Sequence, residues 1–202
     1  MGAVCQTAYK CIQMAAGLAL AACTSTTDPQ DDGRVANRLA PASASSAMTG
    51  ACLPVAGGDA SNDPRTLGFE AAPVPIDLGS RRASQYFVNR EARTELFFGP
   101  RGDCNITGFA TNGSELRKAV TLSVEAAATP FQTLYSGPNN TGVAMRDVYC
   151  ADLGTEGSGN IIVTTVEGER VPGMPTLQVT AMTDTASCAA LAEGSVYAIP
   201  KP

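Results

Sequence analysis

The chain has 202 residues, 14 of them basic and 19 acidic, with 5% aromatic residues, no tryptophan and no histidine. Without histidine, a histidine-based catalytic triad and a histidine-ligated metal are excluded, and the acidic balance argues against a general binder of nucleic acid or of anionic surfaces. The length suits one domain with a tail.

Residues 1–22 read as a targeting segment. Lys10 is their only charge, and the apolar core from Cys11 to Ala22 is interrupted only by Gln13. Such a core is too short to cross a bilayer as a helix. Small residues then precede a cysteine in Leu20-Ala21-Ala22-Cys23. This quartet resembles the lipobox of bacterial lipoprotein precursors, and the resemblance covers only the first 23 residues. It implies a diacylglycerol on the Cys23 thiol, cleavage after Ala22 and a membrane-anchored protein of the cell envelope. Thr24 rather than an aspartate follows the cysteine, so the resemblance leans toward the outer membrane, facing the periplasm. The alternative is an ordinary secretory signal cut near Ala21.

Cysteine parity favours the lipid. Of seven cysteines, Cys5 and Cys11 lie in the segment to be removed and Cys23 at the lipidation site. Cys52, Cys104, Cys150 and Cys188 remain, an even number, as an oxidising compartment requires. Ordinary secretion would leave Cys23 as an unpaired fifth thiol. Two disulfides are expected, with all three pairings open. The long spacings lack the paired knuckles of a thiolate zinc site, and no cofactor motif occurs, so neither metal nor cofactor is expected.

Removing Lys10 with the leader leaves 13 basic residues against 19 acidic ones. Residues 23–50 carry Asp28-Pro29-Gln30-Asp31-Asp32 and then Ala40-Pro41-Ala42-Ser43-Ala44-Ser45-Ser46, with almost nothing large to bury. They read as a lipidated, disordered tether. A β-rich globular domain is expected over 51–202.

Within it, turn signals recur between short apolar runs. Strands are expected at Thr94–Phe98 and Asn105–Phe109 around Gly99-Pro100-Arg101-Gly102-Asp103, at Phe131–Tyr135 and Val143–Cys150 around a Gly-Pro-Asn-Asn turn, at Asn160–Val166 and Thr176–Met182, and at Val196–Ile199. Val120, Leu122 and Val124 alternate with Thr121, Ser123 and Glu125, which predicts a half-buried strand. Only Thr185–Glu193, closed by Gly194, reads as a helix. The fold class is therefore mostly β, an antiparallel β-sandwich or barrel with one short C-terminal helix. In a simple up-and-down arrangement Cys104, Cys150 and Cys188 fall at one end.

No catalytic motif stands out. Gly154-Thr155-Glu156-Gly157-Ser158-Gly159 looks like a phosphate loop but leads into a strand, where no helix N-terminus supplies donors. Glu167 and Glu169 would place two carboxylates at a strand end, the raw material of glycoside hydrolysis, or merely a solvated rim beside Arg170. Arg101-Gly102-Asp103 matches an integrin-binding tripeptide but is also ordinary turn chemistry. Two function classes follow: a non-enzymatic binding or structural envelope lipoprotein and, as the alternative, a carboxylate-dependent envelope glycan hydrolase. The scarcity of aromatic side chains favours the first.

One local feature points to a partner. Arg81, Arg82, Arg90, Arg93 and Arg101 face only Glu91 and Glu95 between positions 81 and 101, against the acidic trend of the chain. Tyr86, Val88 and Arg90 would share a strand face. These arginines are the candidate partner-binding residues, suited to an anionic envelope polymer or an acidic protein.

Overall fold

The computed structural model describes residues 29–75, 83–168 and 174–194. The leader with Cys5, Cys11 and Cys23, the arginines Arg81 and Arg82, Glu169 and Arg170, and the strand expected at Val196–Ile199 lie outside the described residues.

Eight strands form one antiparallel sheet: β1 (Glu70–Ala71), β2 (Gln85–Asn89), β3 (Thr94–Phe98), β4 (Cys104–Gly108), β5 (Gln132–Pro138), β6 (Met145–Asp152), β7 (Ser158–Thr165) and β8 (Leu177–Asp184). Their order across the sheet is β1-β2-β3-β4-β8-β7-β6-β5. The expected antiparallel, β-rich class is what forms. The sheet is single and not closed, with β1 and β5 at its edges. Helices supply the second layer. After β4 the chain crosses over the sheet through α3 (Gly113–Glu125) to the far edge, and β8 returns to fill the gap between β4 and β7.

The second layer begins at α1 (Pro29–Ala47), which continues through a π-helical turn (Met48–Cys52) into α2 (Leu53–Ala56). This corrects the expected tether. Residues 29–50 are helical, and the folded unit starts at Pro29 instead of 51. Composition misled because small residues were counted as unable to bury, whereas Ala36, Ala40, Ala44, Ala47 and Ala51 recur at helical spacing and are all buried. Alanine is also the best helix former, and a stripe of methyl groups lets two helices approach closely. Ser45 and Ser123 bond at 2.8 Å where α1 meets α3. Pro29 opens the helix, where its missing N–H costs nothing. Among the described residues no helix is long and apolar enough to cross a membrane.

The second correction is α3. The strand expected at Val120–Glu125 is helix, with Leu116, Val120, Ser123 and Val124 buried and Leu122 turned out at 54% exposure. Six residues alternating between apolar and polar imitate a strand. The longer window from Leu116 follows the period of 3.6.

The sheet turns one face to these helices. Phe87, Leu96, Ile106, Val163, Val179 and Leu177 lie on it and share one apolar core with Met48, Leu116 and Val120. The core closes tightly in places: a β-carbon at Gly159 would run into the carbonyl oxygen of Ala56. The strand register defines two ends. At one, Asn89, Thr94, Gly108, Leu177, Thr165, Met145 and Pro138 are aligned across the sheet; at the other, Phe98, Cys104, Ala181, Ile161, Tyr149 and Thr133.

Both expected disulfides are present, as Cys52–Cys104 and Cys150–Cys188. Both lie at the Cys104 end, as the up-and-down count required, because the crossover through α3 leaves strand directions unchanged. They tie opposite faces. Cys104 points into the helix-covered core and holds the π-helical turn. Cys150 is offset by one residue from Tyr149, so it points to the other face, where α4 (Cys188–Gly194) is fastened.

Candidate functional site

The most developed polar cluster lies in a cleft of about 490 Å³ between α3 and the edge of the sheet, lined by Arg117, Thr121, Ser136, Asp147 and Tyr149 among others. Helix and strand spacings match here. Arg117 and Thr121 are one helical turn apart, a rise of about 6 Å, and Asp147 and Tyr149 are alternate residues of β6, about 6.6 Å apart. Arg117 therefore stands over Asp147 and Thr121 over Tyr149. Ser136 faces Asp147 across the β5–β6 pairing.

Arg117 donates from Nε to Asp147 Oδ2 at 2.6 Å and from Nη2 to Asp147 Oδ1 at 2.5 Å. Ser136 Oγ donates to Asp147 Oδ1 at 2.8 Å and accepts from Arg117 Nη2 at 3.1 Å. Asp147 is 2% exposed. A buried carboxylate needs this full set of donors, and a two-pronged guanidinium is the side chain best shaped to supply it. The hydrogen bond to Asp147 raises the Arg117 pKa above its ordinary value against the opposing effect of burial. Tyr149 OH lies 3.2 Å from Thr121 Oγ1. Burial pushes the Tyr149 phenol up, with Thr121 pulling the other way, so it stays protonated at neutral pH.

The carboxylate beside Ser136 is paired with Arg117. Lys118 and Leu122 at the rim, with Thr133 opposite, offer a cation, an apolar surface and hydroxyl groups to a polar ligand.

Of the candidate arginines, the three among the described residues do not share one end of the sheet. Arg90 and Arg93 sit in the β2–β3 turn at the Gly108 end, and Arg101 in the β3–β4 turn at the other end, a strand length of about 16 Å away. Strand β2 ends at Asn89, so Tyr86 and Val88 share a face but Arg90 belongs to the turn. All three arginines are exposed, and no ion pair engages them among the described residues. Arg93 takes a positive φ of 50°, at the turn that hands the chain into β3.

The other motifs resolve into structure. Glu167 Oε2 accepts from the backbone N–H of Ser114 at 2.8 Å, so this carboxylate caps the N-terminus of α3 and interacts with its dipole. Gly113 is required for that approach, since a β-carbon there would strike the carbonyl oxygen of Val166. In the Arg-Gly-Asp turn, Asp103 accepts from Asn105 Nδ2 at 2.7 Å and Gly102 adopts φ 83°, the chemistry of a tight turn. Gly154–Glu156 is a short 3₁₀ turn leading into β7, as its sequence indicated. Among the described residues no cluster of three or more metal-ligating side chains occurs.

Sequence reasoning missed the Arg117–Asp147 cluster. A signal existed: Met145, Asp147 and Tyr149 alternate along one face of a strand, and an acid between two large apolar residues on an inward face demands a partner. The partner was invisible while the second half of α3 read as a strand.

These features define a two-layer domain, an open antiparallel sheet under a helical layer, closed by two disulfides at one end. No family model matches the chain, and neither does any curated protein or any solved structure.

Proposed function

We propose that this chain is a bacterial lipoprotein precursor whose domain is held at the envelope by lipid on Cys23 and has a non-enzymatic binding or structural role. The observation that carries the reading is cysteine pairing. Cys52, Cys104, Cys150 and Cys188 pair among themselves, so Cys23 has no partner among the cysteines that follow it, and thioether formation is the chemistry that accounts for a cysteine after Leu20-Ala21-Ala22. Two disulfides also support export to an oxidising compartment. The binding role is supported by the Arg117 cleft, whose rim presents Lys118 and hydroxyl groups, and by the exposed Arg90 and Arg93. An anionic envelope polymer or an acidic protein suits those arginines, with the outer membrane facing the periplasm as the location. Nucleic acid is not a partner in this reading.

Intact-mass measurement of the mature protein tests it. The expected mass corresponds to a chain starting at Cys23 plus a diacylglycerol, and Cys23→Ser should move the protein from the detergent phase to the aqueous phase. A mature chain with a free Cys23 thiol would sink the proposal.

A further inference from the structure

If Cys23 carries lipid, the position of α1 decides which end of the domain meets the membrane, and on that reading we infer that the Gly108 end is a bilayer-contacting surface. Five residues lie between Cys23 and Pro29, so the six steps along the chain reach at most ~21 Å. The helix then comes level with the Gly108 end at Asn37, whose side chain donates to Thr111 Oγ1 at 2.7 Å and accepts from the Thr111 N–H at 2.8 Å. The Cys104 end lies a further strand length of about 16 Å away. The tether expected over residues 23–50 would have let the domain turn freely. A helix starting at Pro29 does not.

The chemistry of the two ends differs in the same sense. Three large apolar side chains are exposed among the described residues, and two of them belong to turns at the Gly108 end: Val143 at 46% and Met174 at 58%. Exposed arginines Arg34, Arg38, Arg90 and Arg93 surround that end, where their long stems suit an interface between acyl chains and phosphate. Glu70, Glu91, Glu95, Glu115 and Glu167 bring it near charge balance among the described residues. The other end carries Asp59, Asp103, Glu125, Asp152, Glu156 and Asp184, apart from the Asp63–Arg65 pair, against Arg101 as the cation among the described residues there. An anionic lipid surface repels that end and accepts the first.

The absence of tryptophan makes a direct test available. Val143→Trp, Met174→Trp and Arg101→Trp proteins are purified from the envelope, checked by intact mass, and reconstituted in phosphatidylethanolamine–phosphatidylglycerol vesicles with and without bromine on the acyl chains. Tryptophan at 143 and 174 should be quenched about twofold by bromine, since an interfacial contact buries side chains some 5–10 Å deep, while tryptophan at 101 should be unaffected. Unchanged melting temperatures establish that the exposed positions tolerate the change. Acylated protein with no quenching at 143 and 174, or with equal quenching at 101, overturns the inference and leaves the anchor intact. Protein without the acyl mass overturns the anchor and the orientation with it.

Discussion

Asp147 shows how much one inward-facing charge demands of its surroundings. Its carboxylate receives two hydrogen bonds from Arg117 and one from Ser136 in a site almost closed to water. Removing Arg117 would leave that carboxylate buried and unneutralised. We expect Arg117→Met to destabilise the domain by about 3 kcal/mol, the low end of the range for breaking a buried pair because Arg117 itself is partly exposed and screened. The double variant Arg117→Met with Asp147→Leu should recover most of the loss, because two apolar side chains of similar volume need no partner. Urea denaturation of the two variants and the parent checks this; equal loss in both would mean that packing, not charge, holds the cluster.

At the scale of elements, α1 is a helix made from residues that look like a linker. Ala44 is fully buried, and the stripe it belongs to admits no larger side chain. Ala44→Leu should destabilise the domain by about 2 kcal/mol through overpacking, while the same change at exposed Ala42 should be close to neutral. Thermal unfolding of the pair distinguishes a packed helix from a tether, in which both substitutions would be silent. The same contrast explains α3. Its apolar residues satisfy a strand template over six positions and a helix template over thirteen, and the longer match wins because the sheet face beneath is already made of β7 and β8.

For the molecule as a whole, the disulfides decide how the layers hold together. Cys52–Cys104 spans 52 residues and Cys150–Cys188 spans 38, so each constrains the unfolded chain by about 4 kcal/mol in the chain-entropy treatment. Their structural consequences differ. Replacing Cys52 and Cys104 by alanine should lower the unfolding midpoint of the entire domain, because it releases the helical layer from the sheet. Replacing Cys150 and Cys188 should release α4 first and show rapid hydrogen exchange confined to that helix and the end of β6 under native conditions. Exchange spreading through the core in the second variant would show that the two bridges act as one.

The sequence alone determined what local chemistry determines: the turns and most strands of the sheet, from Gly, Pro and Asn between apolar runs; the short C-terminal helix; the even set of four cysteines; and the acidic composition. Each is legible because it depends on neighbours in the chain. Only the tertiary structure decided the rest. Which cysteines pair depends on the crossover that carries the chain over the sheet and brings β8 back beside β4. Whether Ala36, Ala40 and Ala44 belong to a tether or a core depends on a second helix arriving to pack against them. Arg117 meets Asp147 because a helical turn and two strand residues rise by nearly the same distance, a coincidence that exists only once the helix lies along the strand. Arg90, Arg93 and Arg101 are close in sequence, but a hairpin sends the two ends of strand β3 to opposite ends of the domain, so for these three proximity along the chain did not become proximity in space.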